Sequence, residues 1–392
     1  MDFAELKHTL RSINIDVLYS VTERTFLSPF FACWIPLLAL GQSAPGFYYW
    51  SLRFLWFVLF RTALCWSSQM WRNRRWRRGQ IDWNDQVVLV TGGSEGLGRV
   101  LVETLLLKHI TVIVLDIKPF SDRDQEEEGD LKFYQCDVSD PQAVEKAAIQ
   151  IRKDVGSPTI IVNNAGIVHG KSLLELEPDE LQKTFAVNVF AHFYLYKAFL
   201  PDMIKRNSGH IVTMASILGH VGVSRVADYC ASKAAAILLH QSLREELHSV
   251  HHAHGIHTTL VCPGLMNTKM FENVKTWNEF LFPRLSPHEL MKKIIQTIDN
   301  EDSTEIYMPL YTKFNFIFDL SEFFLVPSWF LSFLHCHTSK NSVESVFCSV
   351  SRIGCRLLMT LYKFIHCCFF FSLSQEYTYT KRNKTKTLAI NL

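Results

Sequence analysis

Val87-Val88-Leu89-Val90-Thr91-Gly92-Gly93-Ser94-Glu95-Gly96-Leu97-Gly98 is the stretch on which the fold turns. A short, uninterrupted β-branched run ends in a glycine-rich loop, and a helical pattern, Arg99–Lys108, follows. An apolar run without alternation is what a strand buried on both faces requires. Glycines let the backbone turn tightly and approach a pyrophosphate, which then sits at a helix N-terminus. Taken alone, such a loop also suits an ordinary strand-to-helix turn.

The flanking sequence repeats the rhythm. Thr111–Leu115, Ile160–Val162, His210–Met214 and Thr258–Cys262 are strand-length apolar runs separated by helix-length segments. This alternation predicts an α/β fold with a doubly wound parallel sheet over residues 82–312. Asp116 closes the second run, 24 residues beyond Gly92. An acidic side chain there accepts hydrogen bonds from an adenosine ribose and repels a 2′-phosphate, so NAD is predicted over NADP. Glu95 adds negative charge and Lys118 partly offsets it. Asp137 and Val138 end another apparent strand, where Asp137 either meets the adenine or caps the helix before Pro141. Asn163-Asn164-Ala165-Gly166 offers small residues that let backbone lie against a cofactor, or a plain turn.

Ser216 follows the run His210–Met214, and Tyr229-Cys230-Ala231-Ser232-Lys233 lies 13 residues beyond it. Tyr229 and Lys233 are four apart and share a helix face. A neighbouring ammonium and a positive nicotinamide ring both favour the phenolate, so they are expected to lower the tyrosine's ordinary pKa of about 10. A tyrosine so placed passes a proton, and Ser216 steadies a developing oxyanion.

As an ordered set, Thr91–Gly98, Asn163–Gly166, Ser216, Tyr229–Lys233 and Pro263-Gly264 resemble the short-chain dehydrogenase/reductase family from about Asp82 to Pro309. The resemblance implies a Rossmann-type fold and a catalytic set of Asn188, Ser216, Tyr229 and Lys233. Asn188 would hold a proton-relay water and Lys233 would also bind the nicotinamide ribose. It implies cofactor contacts from Gly92, Ser94, Gly96, Leu97, Gly98, Asp116, Asp137, Val138, Asn164, Ala165, Gly166, Tyr229 and Lys233. Pro263, Gly264, Met266 and Thr268 match the segment beside the nicotinamide carboxamide. Ala191-His192-Phe193, Lys197–Pro201 and Gly209–Thr213 through Val221 are similar to the membrane-bound branch that holds 17-beta-hydroxysteroid dehydrogenase type 11 and related retinol dehydrogenases. That likeness implies a lipophilic alcohol or ketone as substrate, a homodimer, and a place on endoplasmic reticulum or lipid droplets. The chain departs from that branch in its longer N-terminal region and its extra tail. An NADPH-dependent lipid ketone reductase, such as a 3-ketosphinganine reductase, is the alternative enzyme, and Asp116 speaks against it. A catalytically idle NAD-binding scaffold on lipid droplets is the alternative from another class.

The chain has 392 residues, of which 48% are hydrophobic and 20% charged, enough to bury a sizeable core. A net charge of +2 leaves no global drive toward nucleic acid. Residues 1–81 read as a membrane-associating region. Phe26–Leu52 carries no charge but is broken by prolines and glycines, which favours a bent path. Phe47–Trp66 has spanning length yet carries Arg53 and Arg61, each costing ~2.5–3.5 kcal/mol at a bilayer centre. The two lie about 80° apart on a helix and can share one polar edge in the interface. Trp71–Arg78 then supplies basic residues and two tryptophans suited to a cytosolic headgroup layer. A cleaved signal peptide is not expected, because acidic residues stand where a basic n-region belongs.

The placement of the ten cysteines argues against a disulfide framework, and no CxxC pair occurs, which supports neither a zinc ribbon nor a thioredoxin-type site; no metal is expected. His335-Cys336-His337 lacks a partner pair. Residues 313–392 read as an aromatic-rich extension. From Lys340 it has eight basic and two acidic residues and no readable core pattern, so it is expected to be dispensable for chemistry.

Overall fold

The structure is a computed structural model that describes residues 14–41, 45–73, 79–120, 130–267, 279–280 and 282–314. Thr268, the basic run 74–78, the His335–His337 cluster and the tail from Lys340 lie outside the described residues.

Seven strands form one parallel sheet: β1 (Val87–Thr91), β2 (Thr111–Asp116), β3 (Leu131–Gln135), β4 (Ile160–Asn163), β5 (Gly209–Met214), β6 (Ile256–Pro263) and β7 (Thr304–Met308). Their order is β3-β2-β1-β4-β5-β6-β7. Five of these were expected from apolar runs, each within one or two residues of the observed bounds. Alternate residues of β1 face opposite cores. Val88 and Val90 pack with helix α4 (Gly96–Leu106) and helix α9 (Pro287–Asp299). Leu89 packs with α5 (Pro141–Asp154), α7 (Ala191–Arg206) and α8 (Ala227–Ser249). A strand covered on both faces has no polar face to show, which explains the unbroken apolar run. The chain winds outward from β1 to β3, then crosses back to β4 beside β1. In such a sheet, ligands lie at the carboxyl ends of the strands where winding reverses.

Before the sheet lie α1 (Ile15–Arg24), α2 (Pro29–Gly41) and α3 (Pro45–Asn73). The buried members of α2 and α3 include Ala32, Ala39, Ser51 and Val58. Each pair is seven apart, so the two helices meet along narrow stripes and turn their bulk outward. Trp34, Leu37 and Leu38 on α2, and Trp56, Phe57 and Phe60 on α3, are more than half exposed. Among the described residues, no helix is long and apolar enough to cross a membrane. The spanning alternative for Phe47–Trp66 is therefore without support, and an exposed apolar hairpin takes its place.

This hairpin is tied to the catalytic unit. Glu23 of α1 pairs with Arg61 of α3. The Ile15 amide donates to the Phe280 carbonyl at 3.0 Å, and the Leu310 amide donates to Asp16 Oδ1 at 2.8 Å. Farther along, Asn73 donates to Asp302 Oδ1 at 2.8 Å and accepts from the Ser303 amide at 2.7 Å.

Candidate active site

The glycine loop joins β1 to α4 and is built from close approaches. Gly92 and Gly96 adopt φ of +64° and +59°, conformations that L side chains rarely take. A Cβ on Gly98 would lie 2.1 Å from the Gly92 carbonyl oxygen. The helix begins at Gly96, three residues earlier than the apolar pattern suggested, because two glycines in its first turn disguise it. Its first amide groups point out over the sheet's carboxyl edge, a cradle for an anion.

Neighbouring side chains lock this loop. Asp116 Oδ2 accepts from the Ser94 amide at 2.9 Å, and its Oδ1 accepts from the Lys118 amide at 3.0 Å. The Ser94 hydroxyl donates to the Lys118 carbonyl at 2.8 Å. Asp116 thus fastens the loop to the end of β2, and Lys118 Nζ pairs with Glu95 Oε2 at 2.8 Å on the surface. Asn164 donates through Nδ2 to the carbonyls of Thr91 and Gly92, both at 3.0 Å. The Asn164 and Ala165 amides donate to Thr91 Oγ1 at 3.0 and 3.1 Å.

Asp137 Oδ1 accepts from the Ser139 amide and hydroxyl at 2.9 and 2.6 Å. Burial works against its ionisation, but these bonds and Lys183 outweigh it and hold the carboxyl below its ordinary range. The cap of α5 is Asp140, which accepts from the Gln142 amide, so the cap reading belongs to the neighbour rather than to Asp137. Val138 is buried beside it.

On the far side of the reversal, Ser216 follows β5 and its Oγ accepts from the Leu218 amide at 3.1 Å. The Ser216 side chain also acts on the Tyr229 hydroxyl, favouring its ionised form. Lys233 Nζ lies 5.7 Å from the Tyr229 ring centroid and donates to the Met214 carbonyl at 2.8 Å. Asn188 stands in a π-helical turn, Ala186–Phe190, between α6 (Pro178–Phe185) and α7. Its Oδ1 accepts from the Ile167 amide at 2.9 Å, and its Nδ2 donates to the Ile167 carbonyl and Ser232 Oγ at 3.1 and 2.9 Å. Gly166 lies between these groups: a Cβ there would be 3.4 Å from Asn188 Oδ1 and 3.5 Å from Lys233 Nζ.

Electrostatics here differ from the sequence expectation. Burial pushes Tyr229 up to about 12, against the lowering from its Ser216 bond. Burial also pulls Lys233 down to about 8. In the protein alone, desolvation disfavours the charged form of each, which spacing does not reveal.

Pro263 ends β6 and Met266 is buried in the core cluster. The Gly264 amide donates to the Met308 carbonyl at 2.8 Å. A Cβ on Gly264 would come 2.1 Å from the Tyr311 hydroxyl, which accepts from the Leu265 amide at 2.8 Å. Tyr311, 47 residues beyond Gly264, carried no signal in the sequence. Nor did the buried chain Asn163–Tyr196–Thr213–His240 behind the site, linked by bonds of 2.9, 3.3 and 2.9 Å.

A glycine cradle at the switch point and a Ser–Tyr–Lys cluster one strand away define a dinucleotide-binding oxidoreductase. Residues 86–279 match the family described as short chain dehydrogenase. Epidermal retinol dehydrogenase 2 of Mus musculus is 39% identical over 235 residues, covering 58% of this chain and 75% of that protein. 17-beta-hydroxysteroid dehydrogenase 13 of Mus musculus is 34% identical over 242 residues, covering 60% and 77%. A short chain dehydrogenase of Burkholderia cenocepacia in complex with NADP superposes with a TM-score of 0.52 at 25% identity, covering 64% of this chain and 98% of that one. The chain belongs to the short-chain dehydrogenase/reductase family. It is an NAD(P)-dependent oxidoreductase of alcohols. The helix N-terminus at Gly96, where an added Cβ would meet nothing within 4 Å and no side chain caps the helix, fits that cofactor.

Proposed function

We propose that this chain oxidises or reduces lipophilic alcohols and ketones of the retinoid or steroid type at a lipid surface. The contact of Tyr229 with Ser216, with Lys233 beside the ring, carries the reading. The cofactor, when bound, accepts or supplies the hydride. Tyr229 moves the proton at the substrate oxygen, and Ser216 orients that oxygen. Lys233 holds positive charge next to the phenol and hydrogen-bonds the ribose. Asn188, clamped on both sides of Ile167, orders the water behind Lys233. Gly92, Gly96, Leu97 and Gly98 receive the pyrophosphate, and Asp116 faces the ribose. The names of the two relatives support the substrate class, and the exposed aromatic hairpin supports the surface.

NAD(H) is the preferred coenzyme in this reading, because a carboxylate ends β2. Replacing Asp116→Ser with Ile117→Arg, the latter residue 56% exposed, should raise catalytic efficiency with NADPH relative to NADH. The same change removes the Ser94 and Lys118 bonds to a carboxylate, each worth ~1.5–3 kcal/mol, so thermal stability should fall too. A native preference for NADPH overturns the assignment and favours the lipid ketone reductase.

The hairpin is expected to rest on endoplasmic reticulum or lipid droplets, with the catalytic unit in the cytosol. Deleting residues 1–80 would also strip Asp16 from Leu310 and Asn73 from Ser303, so point changes are the cleaner test. Trp56→Ser, Phe57→Ser and Phe60→Ser together remove exposed apolar surface worth about 25 cal/mol per Å². The triple variant should release the protein from phosphatidylcholine vesicles in co-sedimentation while sparing activity on a small soluble alcohol. Unchanged sedimentation would refute lipid contact through this face.

A further inference from the structure

A second polar cluster lies one helical turn from Asn188. Thr184 and Asn188 are four residues apart on one side, and Asp228 and Ser232 are four apart on α8. They pair as two rungs. Thr184 Oγ1 donates to Asp228 Oδ2 at 2.9 Å, and Asn188 Nδ2 donates to Ser232 Oγ at 2.9 Å. The rungs are separated by about 5.4 Å, one turn of helix.

Residues 166–169 run along both rungs. Ile167 is bound to Asn188 through its amide and its carbonyl. Two residues later, His169 Nδ1 lies 3.1 Å from Thr184 Oγ1 and 3.4 Å from Asp228 Oδ2. The inner rung adjoins Lys233, the residue after Ser232. The outer rung reaches solvent: the His169 side chain is 23% exposed, whereas that of Asp228 is 1% exposed. Glu180 of α6 also faces His169, and Lys171 holds its carboxylate at 2.5 Å.

Asp228 is the informative member. It immediately precedes Tyr229, and its Oδ1 is buried with no hydrogen-bond partner in the protein. Buried carboxylate oxygens are ordinarily satisfied, and a polar site of this kind is where an ordered water sits. An imidazole at the mouth has two ring nitrogens, so one can take a proton while the other releases one.

We propose that His169 and Asp228 form the solvent end of the proton path that begins at Tyr229 and Lys233. The proposal rests on the reading of those two residues as the acid–base pair. In the oxidative direction the electron pair leaves the substrate carbon with the hydride of the established reaction. The hydroxyl proton passes to Tyr229, then by Lys233 to water at Asn188, to water at Asp228 Oδ1, and to His169. Each group accepts one proton and gives one, so one proton reaches solvent per turnover. In the reductive direction the order reverses. His169 and Asp228 touch neither substrate nor cofactor and are positioning residues for the relay.

Single-turnover formation of NADH by the full-length protein, in dilute non-imidazole buffer, tests this. The probes are all-trans-retinol, estradiol and decan-1-ol, each in phosphatidylcholine vesicles. His169→Gln keeps a hydrogen-bonding side chain but cannot relay, and should slow the step roughly tenfold with KM unchanged, at the low end of general acid–base effects. Asp228→Asn should do the same, and serves if the first variant fails to fold. Added imidazole should restore most of the rate to His169→Ala, which a purely structural loss would not allow. An unaltered rate in His169→Gln, or a slowed His169→Ala that imidazole does not raise, overturns the relay. If Tyr229→Phe is inactive in the same assay, the functional reading survives that outcome. Wild-type inactivity with all three alcohols overturns the functional reading and the relay together.

Discussion

Tyr229→Phe should leave a folded protein that binds NAD(H) with near-native affinity and turns substrate over at least 100-fold more slowly, as loss of a positioned acid–base group does. The ring is 6% exposed and packs with Ile217, Leu218 and Val226, contacts that phenylalanine keeps. Ser216, which acts on the hydroxyl, retains its bond from the Leu218 amide in the variant. Folding therefore loses at most one hydrogen bond, a net ~0.5–1.5 kcal/mol, while chemistry loses its proton carrier. Circular dichroism, NADH fluorescence and turnover, measured on one preparation, separate the two. Near-normal turnover would refute the assignment of Tyr229.

Gly98→Ala is expected to be one of the most damaging single-methyl changes among the described residues, and the one that strikes the cofactor loop directly. The new Cβ would meet the Gly92 carbonyl oxygen at 2.1 Å and Asn164 Nδ2 at 2.6 Å. The first is backbone, and the second is the amide that holds the Thr91 and Gly92 carbonyls. Neither neighbour can yield without opening the loop from the end of β4. Overpacking of this kind costs about 1–3 kcal/mol. Coenzyme affinity should fall with it, because the displaced amides are those at the head of α4. Thermal unfolding and NADH titration check both effects. By contrast, a Cβ on Gly96 meets nothing within 4 Å, and Gly96→Ala is resisted only by its φ of +59°. A milder loss there than at Gly98 would show that close approach governs the motif.

The sheet was legible because its strands are covered on both faces, which leaves unbroken apolar runs such as Val87–Val90 and Ile160–Val162. β3, Leu-Lys-Phe-Tyr-Gln, and β7, Thr-Glu-Ile-Tyr-Met, lie at the two edges and keep polar residues; β3 was legible only as an apparent strand before Asp137, and β7 was not legible. Spacing placed Tyr229 and Lys233 on one face correctly. It carried no sign of the burial that raises the phenol and lowers the ammonium in the protein alone, since burial is a property of the packed molecule and not of the interval between residues. The pairing of Thr184 with Asp228, and of Tyr311 with Leu265, joins segments 44 and 46 residues apart and left no local trace. Arg53 and Arg61 argued against a spanning helix, but only the fold supplied Glu23 as the partner of Arg61.

The tie between Asp16 and Leu310 bears on how this enzyme can be handled and rebuilt. Leu310 adjoins Tyr311, whose hydroxyl occupies the place a Gly264 Cβ would take and holds the Leu265 amide. A helix 294 residues away in sequence therefore braces the strand end proposed to line the coenzyme site. A chimaera that exchanges the amino-terminal helices of this chain for those of a relative would have to carry Leu310–Lys313 as part of the same graft.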